Sequence, residues 1–117
     1  MAKTLKIRIL DEIEAKPGLA AQVRDAYRAE YAPAAKARGM KLEAQWQSPP
    51  AIDIDELPTT LFFLWSVKGE AGWWKQRLSR KKDGSDERED KLAFWQGLAP
   101  LINGRRRRML TDQPGEN

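Results

Sequence analysis

Cysteine and histidine are both absent from this chain of 117 residues. Without cysteine there is neither a disulfide framework nor a thiolate nucleophile, and a reducing compartment is permitted. Without histidine there is no imidazole base. Together the two absences remove the usual zinc sites, Ser-His and Cys-His nucleophile pairs, and a haem held by an axial histidine of this chain. No metal site and no tightly held cofactor is therefore expected. Long hydrophobic runs are missing as well, and Leu61 to Val67 is far too short to span a membrane. The N-terminus, Met-Ala-Lys-Thr-Leu-Lys-Ile, alternates with charge and lacks the apolar core of a signal peptide, which reads as a cytoplasmic protein with no membrane association. Charge of one sign is scarce: 21 basic and 17 acidic side chains leave a net +4. Four of the basic residues sit in one run, Arg105 to Arg108, so the mild excess is a poor footing for nucleic acid.

What is present describes a folded domain. Hydrophobic residues make up 41% and charged residues 32%, a balance that suits a packed core better than disorder. The length allows one domain, residues 1–112, followed by a loose tail at 113–117. The stretch that organises it is Leu61 to Val67, Leu-Phe-Phe-Leu-Trp-Ser-Val, between Pro58 and Gly69. A run this apolar reads as a central strand covered on both faces.

Around that strand the hydrophobic period alternates between two and helical. Leu5, Ile7, Ile9 and Ile13 alternate with Lys6, Arg8 and Glu12, predicting a strand over Thr4 to Ile13. Lys16-Pro17-Gly18 breaks it. Leu19, Val23, Ala26, Tyr27 and Tyr31 then recur at helical spacing, and Pro33 should kink or end that helix before Gly39 supplies a C-cap. Leu42, Ala44 and Trp46 form the apolar side of a second strand, stopped by Ser48-Pro49-Pro50. Residues 51–59 carry Asp53, Asp55 and Glu56 and read as a solvated acidic loop, which lacks the spacing of a calcium site. After Gly69 a helix with Trp73, Trp74, Arg77 and Leu78 is expected, then a break at 80–86 and a helix from Asp86 to Leu101. Asn103-Gly104 reads as a turn, and Arg105 to Thr111 as the last strand. The order is β-α-β-β-α-β: an α+β, ferredoxin-like four-stranded antiparallel sheet with both helices on one face. The doubly apolar third strand then requires something over the helix-free face, and a second copy would supply it.

The chain resembles the dimeric α/β-barrel superfamily, most closely its NIPSNAP-type branch. The residues that carry the likeness are Pro17-Gly18, Tyr31, Pro33, Gly39, Trp46, Trp65, Arg77, Phe94-Trp95 and Met109-Leu110. The resemblance implies a homodimer whose helix-free faces meet to enclose a lumen. It also implies a small organic ligand, in a superfamily that ranges from cofactor-free monooxygenases, isomerases and lyases to proteins of unknown role. A non-catalytic structural or interaction protein is the alternative.

The candidate site is a lumen that holds charge. Arg8, Glu43 and alternate arginines of the last strand must be paired there with one another or with a ligand, since an isolated buried charge is costly. An anionic aromatic or polyketide-like compound would satisfy them; the plainer alternative is cross-strand ion pairs or solvent at the rim. The ligand-binding candidates are Arg8, Glu43, Gln45, Trp65, Trp73, Arg77, Arg106 and Arg108. With no histidine or cysteine, acid–base work falls to carboxylates and phenols, so Glu43, Arg8 and Tyr31 are the catalytic candidates. Asp11 and Glu12 are further strand-borne carboxylates, whose pKa burial would raise, as it would that of Glu43. Trp46, Trp65 and Trp95 read as core by their spacing. The same element order is that of the RNA-recognition module, but the first strand lacks its stacking aromatics and the third lacks its basic Gly-aromatic signature, which argues against nucleic acid.

Overall fold

A computed structural model describes residues 6–50, 56–68 and 87–113. The elements run β1 (Lys6–Ala15), α1 (Ala20–Ala26), a π-helical turn (Tyr27–Tyr31), α2 (Ala32–Ala37), β2 (Lys41–Ser48), β3 (Thr59–Lys68), α3 (Glu87–Leu98), a 3₁₀ turn (Ala99–Leu101) and β4 (Ile102–Thr111). The four strands form one antiparallel sheet in the order β2-β3-β1-β4, with the helices on one face. This is the expected ferredoxin-like arrangement, and β3 is internal, as its composition requires. The expected helix around Trp73 to Leu78 and the break at 80–86 fall outside the described residues, as do Leu5, Asp53, Asp55 and the last four residues of the tail.

Alternation sorts the sheet. Ile9, Asp11, Ile13 and Ala15 of β1 and Thr59, Leu61, Phe63, Trp65 and Val67 of β3 are buried toward the helices. Val23, Tyr27, Tyr31, Ala35 and Leu98 cover them from the helical layer. Each large apolar side chain fully withdrawn from water contributes roughly 1.5–3 kcal/mol, so this single layer supplies most of the stability. On the helix-free face lie Arg8, Leu10, Glu12 and Glu14 of β1, Thr60, Phe62, Leu64 and Ser66 of β3, and Arg106, Arg108 and Leu110 of β4, directly opposite one another in the register.

Four differences from the sequence expectations have local causes. β1 runs two residues later than predicted, to Ala15, because both of its neighbours extend far enough to pair with that end. Pro33 does not end the helical run. The turn before it widens, with the Ala32 N–H donating to the Tyr27 carbonyl five residues back, and the proline is taken up early in α2, where its missing N–H costs least. Gly39, at φ 93°, then closes the helix in a Schellman motif: its N–H bonds the Lys36 carbonyl and the Met40 N–H bonds that of Ala35. In β2 the register shifts between Leu42 and Ala44, so Glu43 is an inserted residue. Leu42 faces the helices beside Trp65, but Ala44 and Trp46 pair with Leu64 and Phe62 on the helix-free face. Trp46 is thus 55% exposed rather than core. Finally, Asn103-Gly104 is no turn; it belongs to β4, which begins at Ile102.

Candidate functional site

The arginine run divides between the two sides of the sheet. Arg107 pairs with Asp11 and Arg105 with Ile13 on the helix side, whereas Arg106 and Arg108 pair with Glu12 and Leu10 on the other. Two polar clusters result, one on each face.

The helix-side cluster is the more enclosed. Asp11, 3% exposed at its side chain, accepts from Arg107 at 2.5 and 2.9 Å in a bidentate fork. Tyr27 donates its hydroxyl proton to the same carboxylate at 2.6 Å and accepts from the Trp65 indole N–H at 2.6 Å. Arg107 also donates to the Tyr31 hydroxyl oxygen at 2.5 Å. The aromatic rings pack around this chain of bonds: Phe63 stacks on Tyr27 at 3.8 Å between centroids, and Phe94 and Trp95 of α3 stand 5.8 and 5.6 Å from Tyr31. At the rim Arg105 lies over the Trp95 ring, 4.0 Å from its centroid. Buried Arg38 approaches Tyr31 from α2, 5.7 Å from the ring centre.

The electrostatics follow from that packing. Burial, then the Asp11 charge, push the Tyr27 hydroxyl far above its ordinary value. Burial alone would pull the Arg107 guanidinium down, but the hydrogen bonds and charge of Asp11 outweigh it and push it up. Burial, then the like charge of Arg107, pull Arg105 down. A tyrosine whose folded-state pKa is raised stabilises the fold fully below its unfolded value of 10.0, and that contribution is lost as pH climbs beyond it. Stability is therefore expected to fall above pH 10 more steeply in the native protein than in Tyr27→Phe, as read by denaturation across pH. Native-state tyrosinate absorbance should carry no contribution from Tyr27 until the chain unfolds.

The helix-free cluster is shallower. Arg8 bonds Asp112 at 2.9 Å and Arg108 bonds Glu12 at 2.9 Å. Glu43 accepts from Ser66 Oγ at 2.5 Å. That bond, helped by Lys41, Lys6 and Arg8 against partial desolvation, holds the Glu43 carboxyl below its ordinary value. The sequence expectation was the reverse, because it assumed burial, and Glu43 is exposed. Glu12, Glu14, Thr60, Asn103 and Arg106 line a groove of about 370 Å³ at one end of β1 and β4.

Of the candidates named from sequence, Arg8, Glu43, Arg106 and Arg108 share the helix-free face. Tyr31 and Trp65 stand across the sheet from them, and Trp65 is fully buried with its N–H spent on Tyr27. Gln45 also lies on the helix side, because the bulge at Glu43 inverts the parity beyond it, and it accepts from Arg28 at 2.8 Å. Trp73 and Arg77 are outside the described residues. Arg107 was missed. The available signal was its register opposite Asp11, an acid at a position where β1 alternation calls for a buried residue. Among the described residues no group of three or more acidic side chains is placed to hold a metal ion, and no helix is long and apolar enough to cross a membrane.

No family model and no curated protein matches the sequence. Solved structures do match the fold. An uncharacterized NIPSNAP domain protein from Burkholderia xenovorans aligns over 92% of this chain and 94% of its own, with TM-score 0.62 and 14% identity. A NIPSNAP family protein from Agrobacterium tumefaciens aligns over 97% and 90%, with TM-score 0.64 and 13% identity. A dimeric ferredoxin-like protein of unknown function from Thermobifida fusca aligns over 95% and 94%, with TM-score 0.50 and 16% identity. The chain has the ferredoxin-like fold of these NIPSNAP-type structures.

Proposed function

We propose that the protein is a homodimer that joins its helix-free sheet faces and binds a small anionic aromatic or polyketide-like compound in the lumen between them. The observation that carries this reading is the composition of that face. Leu10, Phe62, Leu64, Ala44 and Trp46 form an apolar area over β1, β3 and β2, beside a charged strip of Arg8, Glu12, Arg106 and Arg108 on β1 and β4. An apolar sheet surface of this kind on a lone subunit is a standing association site. A second copy fits it because one face carries both signs of charge together with the apolar area, so a two-fold axis brings like area to like area without a foreign partner. That the similar Thermobifida fusca protein is dimeric supports the same arrangement.

An anion would meet the three arginines Arg8, Arg106 and Arg108, while the carboxylates beside them are engaged within the chain: Glu12 by Arg108, Asp112 by Arg8, Glu14 by Asn103 and Glu43 by Ser66. Arg106 stands opposite Glu12 but forms no ion pair among the described residues, so it is the cation available to a ligand. Proton transfer in such a lumen would fall to a carboxylate of this face, Glu12, Glu14 or Glu43. Sedimentation velocity at micromolar concentration is expected to show a dimer, and titration with hydroxybenzoates to show binding that Arg106→Ala weakens while the dimer persists. A stable monomer overturns the reading. A dimer that binds none of these acids is a structural or interaction protein.

A further inference from the structure

Resting on the lumen function proposed above, we infer that the groove where β1 meets β4 on the helix-free face is its recognition subsite. It selects a hydroxylated aromatic acid, with Arg106 taking the carboxylate and Glu14 the hydroxyl. Two local features of β4 open the groove. Glu14 pairs with Gly104 and Ala15 with Ile102, so Asn103 is an inserted residue, and such bulges re-aim side chains beside functional sites. Asn103 spends its amide N–H on the Glu14 carboxylate at 2.8 Å. The position facing Glu14 is then Gly104, which brings no side chain, and a cavity of about 370 Å³ lies there between Glu14 and Arg106. Neither backbone nor packing requires this glycine. Its φ lies outside the left-handed region, and a Cβ built on it would meet nothing within 4 Å. Glycine inside a strand weakens it, so one that serves neither conformation nor packing points to a ligand that approaches closely.

The polar groups of the groove define the ligand. Glu12 is held by Arg108 at 2.9 Å, whereas Arg106 across from it forms no ion pair among the described residues. Glu14 receives one neutral amide and keeps lone pairs to spare, and Thr60 stands opposite it on β3. One cation and one acceptor therefore remain. They occupy diagonal positions on neighbouring strands, about 7–8 Å apart at the backbone. A ring that carries a carboxylate at one end and a hydroxyl at the other bridges them. An ammonium in place of the hydroxyl would meet the like charge of Arg106. The volume falls in the range of small-molecule sites, roughly 300–1,000 Å³.

The test is calorimetric titration of the full chain with 4-hydroxybenzoate, 2-hydroxybenzoate and benzoate. Native protein should bind 4-hydroxybenzoate about tenfold more tightly than benzoate, the order expected for one hydrogen bond to a charged group. It should bind 2-hydroxybenzoate no better than benzoate, because that hydroxyl is spent on its own carboxylate. Glu14→Ala should bring the preference for 4-hydroxybenzoate over benzoate to about one. Gly104→Val fills the groove; since strands favour valine, it should melt no lower than native protein and lose the binding of all three acids. The groove is overturned as the site if native protein shows no preference for 4-hydroxybenzoate over benzoate, if Glu14→Ala keeps the preference, or if folded Gly104→Val binds like native protein. Should Arg106→Ala weaken binding in those cases, the acid lies elsewhere in the lumen and the function proposed above stands. A monomer that shows the whole expected pattern supports the groove and overturns the dimer.

Discussion

Replacing Arg107 by leucine is expected to lower the unfolding free energy by about 3–5 kcal/mol, while the same change at Arg106 stays within about 0.5 kcal/mol. The two residues are adjacent and chemically identical, so composition offers no reason for a difference. The reason is parity along β4. Arg107 faces the helices and holds the carboxylate of Asp11 at 2.5 and 2.9 Å where that side chain is 3% exposed. Removing the guanidinium leaves a buried charge with only the Tyr27 hydroxyl for a partner. Arg106 faces the other way and is exposed. Chemical denaturation of both single variants measures the contrast, and the double variant Asp11→Leu/Arg107→Leu refines it. Taking both charges out together removes the uncompensated carboxylate, so the double variant should be more stable than Arg107→Leu alone. Equal losses at 106 and 107 would mean that the strand presents the opposite set of side chains to the helices.

That parity also explains how much could be read from the chain itself. The architecture was legible because it depends on periodicity, and the periods of β1, β3 and the first helix are clean. A central strand needs apolar residues on both sides, and Leu61, Phe63 and Trp65 on one with Phe62 and Leu64 on the other met that need without any contact information. The site was legible only in part, because it depends on phase. A strand of four consecutive arginines has the same composition on either face, so nothing in Arg105 to Arg108 says which pair points inward. Phase comes from the partner strand: Asp11 opposite Arg107, a long-range pairing that alternation alone does not reveal. β2 was misread for a related reason. One inserted residue at Glu43 moves Trp46 and Gln45 to faces opposite those their alternation implies, and a bulge leaves no compositional mark when the inserted residue is polar. Tyr31 was found by its residue type, as a phenol available where histidine is not, whereas its link to Arg107 required the sheet.

The neighbouring phenylalanines of β3 provide the sharpest separation of fold from assembly. Phe63→Asp is expected to abolish folding, and Phe62→Asp to leave a folded monomer. Phe63 is 2% exposed and stacks on Tyr27 at 3.8 Å, so an aspartate there loses a buried aromatic ring, about 3–5 kcal/mol by truncation alone, and adds an unpaired carboxylate to the core. The sum is comparable with the whole stability of a domain this size, about 5–15 kcal/mol. Phe62 is only half-buried within its own subunit, packed beside Trp46 and Glu12 on the helix-free face. An aspartate there remains hydrated in the monomer and costs little. In the proposed dimer it would be withdrawn from water in an apolar patch with no cation assigned to it, and association should fail. Circular dichroism reads the first expectation and sedimentation velocity the second. A Phe62→Asp protein that is folded and still dimeric would show that the copies meet elsewhere, and the lumen would have to be given up.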